Sequence, residues 1–221
     1  MLRITWVLIG AAAVALGAGF FWFSQRVTDT GIKSPGFTLR ETDRTIGNPH
    51  APVTLIEYGA PSCGVCAAFS LEVFPKVKRD YIDTGKVYYV FRVFPLDVLD
   101  VHVEKMARCL PRDQYFSFLE LTWRNQQMWD KMEYKNISDP NAALVRLGNR
   151  AGMRTDQIER CISSTEEDKR INMVAAEAEE RYRTSRTPTF IVDGVIKVGG
   201  RRYGPLAKAL DSEIIRKTQK G

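Results

Sequence analysis

The sequence has few of the residues that metal centres and nucleic-acid-binding surfaces need. Its 221 residues include four cysteines and two histidines, and two of the cysteines, Cys109 and Cys161, stand alone. A structural zinc site normally needs two close cysteine pairs or nearby histidines, so we expect no metal site. The 32 basic and 26 acidic side chains are dispersed, with no long block of one sign. This pattern argues against a nucleic-acid partner.

The chain also lacks internal repeats and low-complexity tracts, and strand-like patterns are missing from Val98 to about Tyr182. In that stretch apolar residues recur at helical spacing, as in "YFSFLELTW" and "INMVAAEAEERY". We therefore predict a helical insertion over residues 98–182. The hydrophobic fraction of 44% is enough for a sizeable core around it.

One long uncharged run is present near the start of the chain. Residues 4–23, "ITWVLIGAAAVALGAGFFWF", are long enough to cross a bilayer as a helix. Four aromatic residues follow the small residues of this run without an intervening charge, which favours an uncleaved anchor over a cleavable signal. We predict a membrane anchor or signal segment over residues 1–26 and a polar linker over residues 27–36.

Strand patterns flank the predicted insertion on both sides. "PVTLIEY" at residues 52–58 and "KVYYVFRVF" at residues 86–94 predict two strands, which are parallel because a helix connects them. Ser62 is expected to cap that helix, and Pro75 to kink it. "TPTFIVDGVIKVGG" at residues 187–200 predicts a hairpin, and a closing helix follows. The folded parts outside the insertion are then residues 37–97 and 183–221.

Two cysteines, Cys63 and Cys66, lie where the first of these strands gives way to the helix. A thiolate at a helix N-terminus faces the free N–H groups and the positive end of the helix dipole, which lowers its pKa. A disulfide across two intervening residues is also easily reduced. These features indicate thiol–disulfide exchange, although the spacing alone also fits a local staple or half of a metal site.

The order of four motifs resembles the DsbA-like branch of the thioredoxin superfamily, the thiol:disulfide oxidoreductases of the bacterial cell envelope. The motifs are "TLIEYGAPSCGVC", "VYYVFRVFPL", "YFSFLELTWRNQQMW" and "RTPTFIVDG". The resemblance implies an α/β thioredoxin fold interrupted by a helical domain, with no cofactor. It implies that Cys63 is the exposed nucleophile and Cys66 its buried partner. It further implies a cis peptide bond before Pro188, with the Thr187 backbone available to an extended substrate.

The resemblance carries over to three further residues. Glu57 matches a buried acid that can exchange protons with Cys66; the alternative is an edge carboxylate that faces water. Some relatives hold a second, structural disulfide in the helical domain, which would join Cys109 to Cys161; the alternative is two buried free thiols. Four cysteines allow three pairings, and the short gap between Cys63 and Cys66 favours the pairing of these two with each other and of Cys109 with Cys161.

The sequence departs from the family pattern at two places beside the motif residues. The residues between the two cysteines are Gly64 and Val65, where the best-known strong oxidants have proline and histidine. One source of thiolate stabilisation is therefore missing, which leaves the oxidising power open. Arg186 occupies the position before Thr-Pro where many relatives have glycine. It would either add positive potential near Cys63 or point into solvent.

These patterns together lead to one functional hypothesis and two alternatives. We expect a monomeric oxidoreductase, anchored to the inner membrane or secreted into the periplasm, that introduces disulfides into exported cysteine-containing proteins. By resemblance, a DsbB-like membrane oxidase would reoxidise it. The first alternative is a disulfide isomerase or reductase of the same fold. The second is a non-catalytic, membrane-anchored scaffold or chaperone whose disulfides only stiffen it.

Overall fold

The computed structural model describes residues 37–198 and 202–219. The predicted membrane segment at residues 4–23 lies outside this range. Within the described residues, no helix combines the length and the apolar character that a bilayer crossing requires.

A five-stranded mixed sheet forms the centre of the fold. Its strands are β1 (Arg44–Ile46), β2 (Val53–Gly59), β3 (Val87–Val93), β4 (Thr189–Val192) and β5 (Val195–Val198), in the order β1-β3-β2-β4-β5. The β2–β3 pair is parallel, and the other pairs are antiparallel. The predicted strands and hairpin are confirmed. The short edge strand β1 was not predicted, because three half-buried residues carry no recognisable alternation.

Helix α1 connects β2 to β3 and changes its hydrogen-bonding pattern along its length. It consists of the consecutive segments Gly64–Ala68, Phe69–Val73, Phe74–Val77 and Lys78–Ile82, of which the second and fourth are π-helical. The first π-helical segment directly precedes Pro75, which lies in the first turn of the next segment. A proline fits there because it has no N–H to donate to the preceding turn.

The N-cap of α1 differs from the sequence prediction. Cys63, not Ser62, is the cap residue, and its sulfur accepts the Cys66 N–H. The Ser62 hydroxyl is directed to the carboxylate of Asp100, to which it donates a hydrogen bond at 2.9 Å.

Helices fill the chain between β3 and β4, as the apolar spacing predicts. They are α2 (Val98–Cys109), α3 (Tyr115–Arg124), α4 (Gln126–Trp129), α5 (Pro140–Arg150), α6 (Thr155–Ile162) and α7 (Thr165–Tyr182). The closing helix is α8 (Tyr203–Thr218). An Asp97 capping box starts α2, where the Asp97 side chain accepts the N–H groups of Leu99 and Asp100.

The sheet separates two apolar clusters, because alternate residues of a strand point to opposite faces. Ile56 and Tyr58 of β2 pack with Val174 and other residues of α7 on one face. Val53 and Leu55 face the other cluster, which contains α1 and most of the insertion. Glu57 has the same parity as these two residues, so its carboxyl group points to the side of the sheet that α1 covers.

Candidate active site

Cys63 and Cys66 lie at the start of α1, next to the carboxyl end of β2. The Cys63 sulfur accepts the Cys66 N–H at 3.1 Å, and both residues pack with Ala60. Cys63 is 8% exposed and Cys66 0%. The prediction that Cys63 is an exposed thiol is therefore wrong in degree: a small part of the residue reaches solvent, whereas Cys66 is fully enclosed.

The residues before β4 complete the surroundings of Cys63. The Thr187-Pro188 peptide bond is cis, and the Cys63 thiol contacts the Thr187 carbonyl oxygen at 3.5 Å. The structure thus brings Cys63, Cys66, Thr187 and Pro188 together. An extended chain that lay along Thr187 would pass directly beside the Cys63 sulfur.

The two thiols differ in acidity. The pKa of Cys63 is lowered to about 7, first because the Cys66 thiol donates a hydrogen bond to its sulfur, against the opposing effect of burial. Backbone N–H groups of Cys66 and Val65 also stabilise the thiolate. Burial, with the contact to Cys63, raises the pKa of Cys66 well above its ordinary value. Of the two thiols, only Cys63 is therefore substantially ionised near neutral pH.

Glu57 lies in the middle of β2 and is 1% exposed, which excludes the alternative of an edge carboxylate in water. Its Oε2 accepts a hydrogen bond from the Tyr89 hydroxyl at 2.7 Å, while Oε1 has no hydrogen-bond partner among the described residues. Burial raises the pKa of Glu57 to about 8, although the Tyr89 hydrogen bond opposes this. The negative charge of Glu57 is one of the smaller causes that raise the pKa of Cys66, after burial and the contact with Cys63.

Tyr89 is a site residue that sequence reasoning missed. It lies opposite Leu55 in the parallel β2–β3 register, two positions before the partner of Glu57. Residues two apart on neighbouring strands share a face of the sheet, so this parity could have indicated the contact. Its ring packs against Phe74 and Phe116, with centroids 4.6 and 6.0 Å away, which fixes the hydroxyl against the carboxylate.

The structure also places the other residues that the sequence singled out. Cys109 and Cys161, 52 positions apart, form a disulfide that joins the end of α2 to α6. Arg186 is exposed, and its side chain makes no hydrogen bond or ion pair with another described residue. Gly64 and Val65 are also exposed, so the dipeptide faces solvent. The described chain holds no group of three or more metal-ligating His, Cys, Asp or Glu side chains.

A strand-to-helix cysteine pair beside a cis-proline and above a buried acid is the arrangement that the DsbA-like resemblance implied. A family model described as thioredoxin matches residues 39–212. The chain belongs to the thioredoxin family. Among solved structures, Wolbachia pipientis alpha-DsbA1 is similar to this thioredoxin-family chain, with 27% identity and a TM-score of 0.75. The match covers 83% of this chain and 96% of that one, and the DsbA-like assignment is confirmed.

Curated relatives carry names that refer to disulfide chemistry. A Rickettsia prowazekii protein provisionally named protein-disulfide oxidoreductase is 28% identical over 187 residues, which are 83% of this chain and 66% of that protein. The chain thus spans about two thirds of the length of that relative. A Bacillus cereus protein provisionally named disulfide bond formation protein D is 23% identical, with 94% of each chain covered.

Proposed function

We propose that this thioredoxin-family chain is a thiol:disulfide oxidoreductase that introduces disulfide bonds into exported proteins through Cys63 and Cys66. One observation carries the proposal. The Cys63 sulfur caps α1 and contacts the Thr187 carbonyl, while its partner sulfur is enclosed behind it. A client chain can therefore reach one sulfur of the pair, and that sulfur is the more acidic one.

The reaction begins with the oxidised pair. A client thiolate attacks the Cys63 sulfur, the Cys63–Cys66 bond breaks, and a mixed disulfide forms between the client and Cys63. Cys66 leaves as a thiolate and takes a proton. A second client thiolate then attacks the client sulfur of the mixed disulfide, and Cys63 leaves as a thiolate. Two electrons pass from the client dithiol to the pair, which ends in the reduced state.

Glu57 is the proton donor to Cys66 in this scheme. The Cys66 thiolate forms in a fully buried position, where an unpaired charge is costly. The pKa of Glu57, raised to about 8, keeps a large share of this carboxyl group protonated at neutral pH. The group can therefore give its proton to Cys66 and regain it from the thiol when the pair is reoxidised.

The acidity of Cys63 favours oxidation of the client. In thiol–disulfide exchange the thiol with the lower pKa leaves faster. Cys63, with a pKa of about 7, is a better leaving group than an ordinary client cysteine at about 8.5. The mixed disulfide therefore breaks preferentially toward the oxidised client and the reduced enzyme.

The proposal includes a location and partners. Residues 4–23 would anchor the chain in the inner membrane, or direct its secretion, with the folded part in the periplasm. Clients would be exported proteins with cysteines, because structural disulfides persist in that compartment. A quinone-reducing membrane oxidase of the DsbB type would take two electrons from the reduced pair. The enzyme would act as a monomer and without a cofactor.

One observation favours the alternative of an isomerase or reductase. A pKa of about 7 at Cys63 resembles that of thioredoxin, a reductant, rather than the far lower value of the strongest oxidants. The missing histidine between the cysteines gives a physical reason for this moderate acidity. The direction of electron flow would then depend on whether a membrane partner keeps the pair oxidised or reduced.

Two assays separate these functions. Reoxidation of reduced ribonuclease by the oxidised full-length protein measures the oxidase, and reduction of insulin measures the reductase. We expect ribonuclease oxidation to dominate and Cys63→Ser to abolish it. Cys109→Ala with Cys161→Ala is the matched control, because it removes the other two cysteines and should keep the activity. Client binding that survives Cys63→Ser without any exchange in the wild type would support the scaffold instead.

A further inference from the structure

The three residues before Cys63 are held by side chains of the helical insertion. The Trp123 indole N–H points to the Ala60 carbonyl at 3.4 Å, and the Gln126 amide donates to the Pro61 carbonyl at 2.7 Å. At Ser62, both the backbone N–H and the hydroxyl donate to Asp100, at 2.6 and 2.9 Å. The loop that carries the reactive cysteine thus takes its position from the insertion as well as from the sheet.

Asp100 makes the tightest of these contacts. It lies in the first turn of α2 and is 0% exposed. Oδ1 accepts the Ser62 N–H, and Oδ2 accepts the Ser62 hydroxyl and the Leu96 N–H, the last at 2.8 Å. No Lys, Arg or His side chain pairs with it among the described residues. The Asp97 N–H also donates to Oδ2, at 3.4 Å, so four uncharged donors hold this buried carboxylate.

The donors at this position match a carboxylate. It offers two oxygens that accept hydrogen bonds and no donor. An amide in the same place has one accepting oxygen, and its NH₂ group would face one of the N–H or O–H donors. A donor left without an acceptor in a buried site is destabilising, so the loop would shift to find a new partner.

We propose that Asp100 is a positioning residue for Cys63: by holding Ser62 from the insertion, it keeps the next residue's sulfur at the N-cap of α1 and beside Thr187. The inference rests on the proposed function, because it assigns Asp100 a part in preparing the reactive thiolate. Asp100 does not touch the Cys63 sulfur. It acts through Ser62, which directly precedes Cys63 in the chain and donates two hydrogen bonds to Asp100.

The helix start that contains Asp100 also provides a matched control. Asp97 belongs to the same capping box, but its side chain accepts the N–H groups of Leu99 and Asp100 and not a group of the loop. Asp97→Ala therefore weakens the start of α2 without removing a contact to Ser62. Asp100→Asn, nearly the same shape as the native residue, removes the charge and one accepting oxygen.

The test is the pKa of Cys63 in the reduced full-length protein, measured from its reaction with iodoacetamide across pH. We expect Asp100→Asn to raise this pKa toward the free-thiol value of about 8.5, since a displaced loop weakens the contacts that stabilise the thiolate. A rise of one unit would slow alkylation at neutral pH about fivefold. Asp97→Ala should lower the melting temperature and leave the pKa unchanged.

Three results would overturn the inference. One is an unchanged Cys63 pKa in Asp100→Asn, and a second is a lowered one, which is what simple removal of a nearby negative charge would produce. The third is an equal rise in Asp97→Ala, which would mean that any damage to α2 has the same effect. If Asp100→Asn does not fold, Ser62→Ala decides by the same criterion, with a smaller rise expected because the Ser62 N–H contact remains.

The proposed function can fail separately from this inference. If the wild type does not oxidise ribonuclease but Asp100→Asn still raises the pKa of Cys63, the oxidase proposal is wrong and the positioning role of Asp100 stands. If the wild type oxidises ribonuclease and the pKa of Cys63 is unchanged in Asp100→Asn, the oxidase proposal stands and the positioning role of Asp100 is wrong.

Discussion

At the scale of single residues, the site depends on two carboxyl groups that are buried without a cationic partner in the described structure. Glu57 lies against Tyr89 and near Cys66, and Asp100 holds the loop before Cys63. Burial raises the pKa of both, to about 8 for Glu57 and about 6 for Asp100. Burial opposes the charged form of both groups, which is consistent with functional roles for both acids.

The raised pKa of the buried Glu57 leads to a prediction about the pH dependence of stability. Its folded-state pKa of about 8 exceeds the ordinary 4.5, so the folded protein holds this proton more tightly than the unfolded chain. Its contribution to stability is fully present below pH 4.5 and is lost as the pH rises to 8. Glu57→Gln should therefore be on the order of 4 kcal/mol more stable than the reduced wild type above pH 8, and similar to it near pH 4.5.

Urea denaturation of the reduced proteins at several pH values measures this difference. Glu120→Gln is the control, because Glu120 is an exposed glutamate on α3 whose replacement should not produce the same trend. Parallel stability curves for the wild type and Glu57→Gln would show that the buried carboxyl group does not titrate as described.

The sequence could predict some of these residues and not others. The spacing of Cys63 and Cys66 after a strand was enough to place both at a helix start. Tyr89 and Asp100 lie 32 and 38 positions from their partners Glu57 and Ser62. Their contacts arise from the packing of β3 and α2 around the site, and no local pattern encodes that packing.

At the scale of elements, periodicity predicted most strands and helices because their apolar residues repeat regularly. The details that matter at the site were less visible. Ser62 has the usual character of an N-cap residue, yet its hydroxyl is directed to Asp100 in the insertion, and Cys63 is the cap. The π-helical turns of α1 likewise have no signature in the sequence beyond Pro75.

The disulfide between α2 and α6 makes a prediction at this scale. It closes a loop of 52 positions, which on the chain-entropy model stabilises the fold by about 4 kcal/mol. In urea denaturation, the Cys109→Ala, Cys161→Ala double variant should have a free energy of unfolding lower than the wild type by about this amount. The pKa of Cys63 should stay the same. A loss of the Cys63 thiolate in this variant would mean that the disulfide also shapes the active site.

At the scale of the whole molecule, the described fold is proposed to carry the thiol chemistry, and the N-terminal segment the membrane attachment. Residues 35–221 form a compact unit of their own. The thioredoxin fold with its helical residues between β3 and β4 could be anticipated from the alternation of strand and helix patterns. The membrane anchor and the redox partner rest on the sequence of residues 1–26 and on the resemblance.

The anchor is testable by fractionation. The full chain, expressed in a bacterial cell, should stay with the membrane after alkaline carbonate washing, whereas a chain without residues 1–26 should be released and keep its thiol chemistry. N-terminal sequencing of the mature protein gives the outcome that would contradict this prediction. A mature chain that begins after residue 23 would mean that the segment is a cleaved signal.

The acidity of Cys63 tests the account most directly, because both the proposed reaction and the role of Asp100 depend on it. Ultraviolet titration of the reduced protein, with Cys63→Ser subtracted to remove the tyrosine signal, gives the value. We expect a single thiol that ionises with a pKa of about 7. A value of about 8.5 or higher, that of an ordinary cysteine, would contradict it.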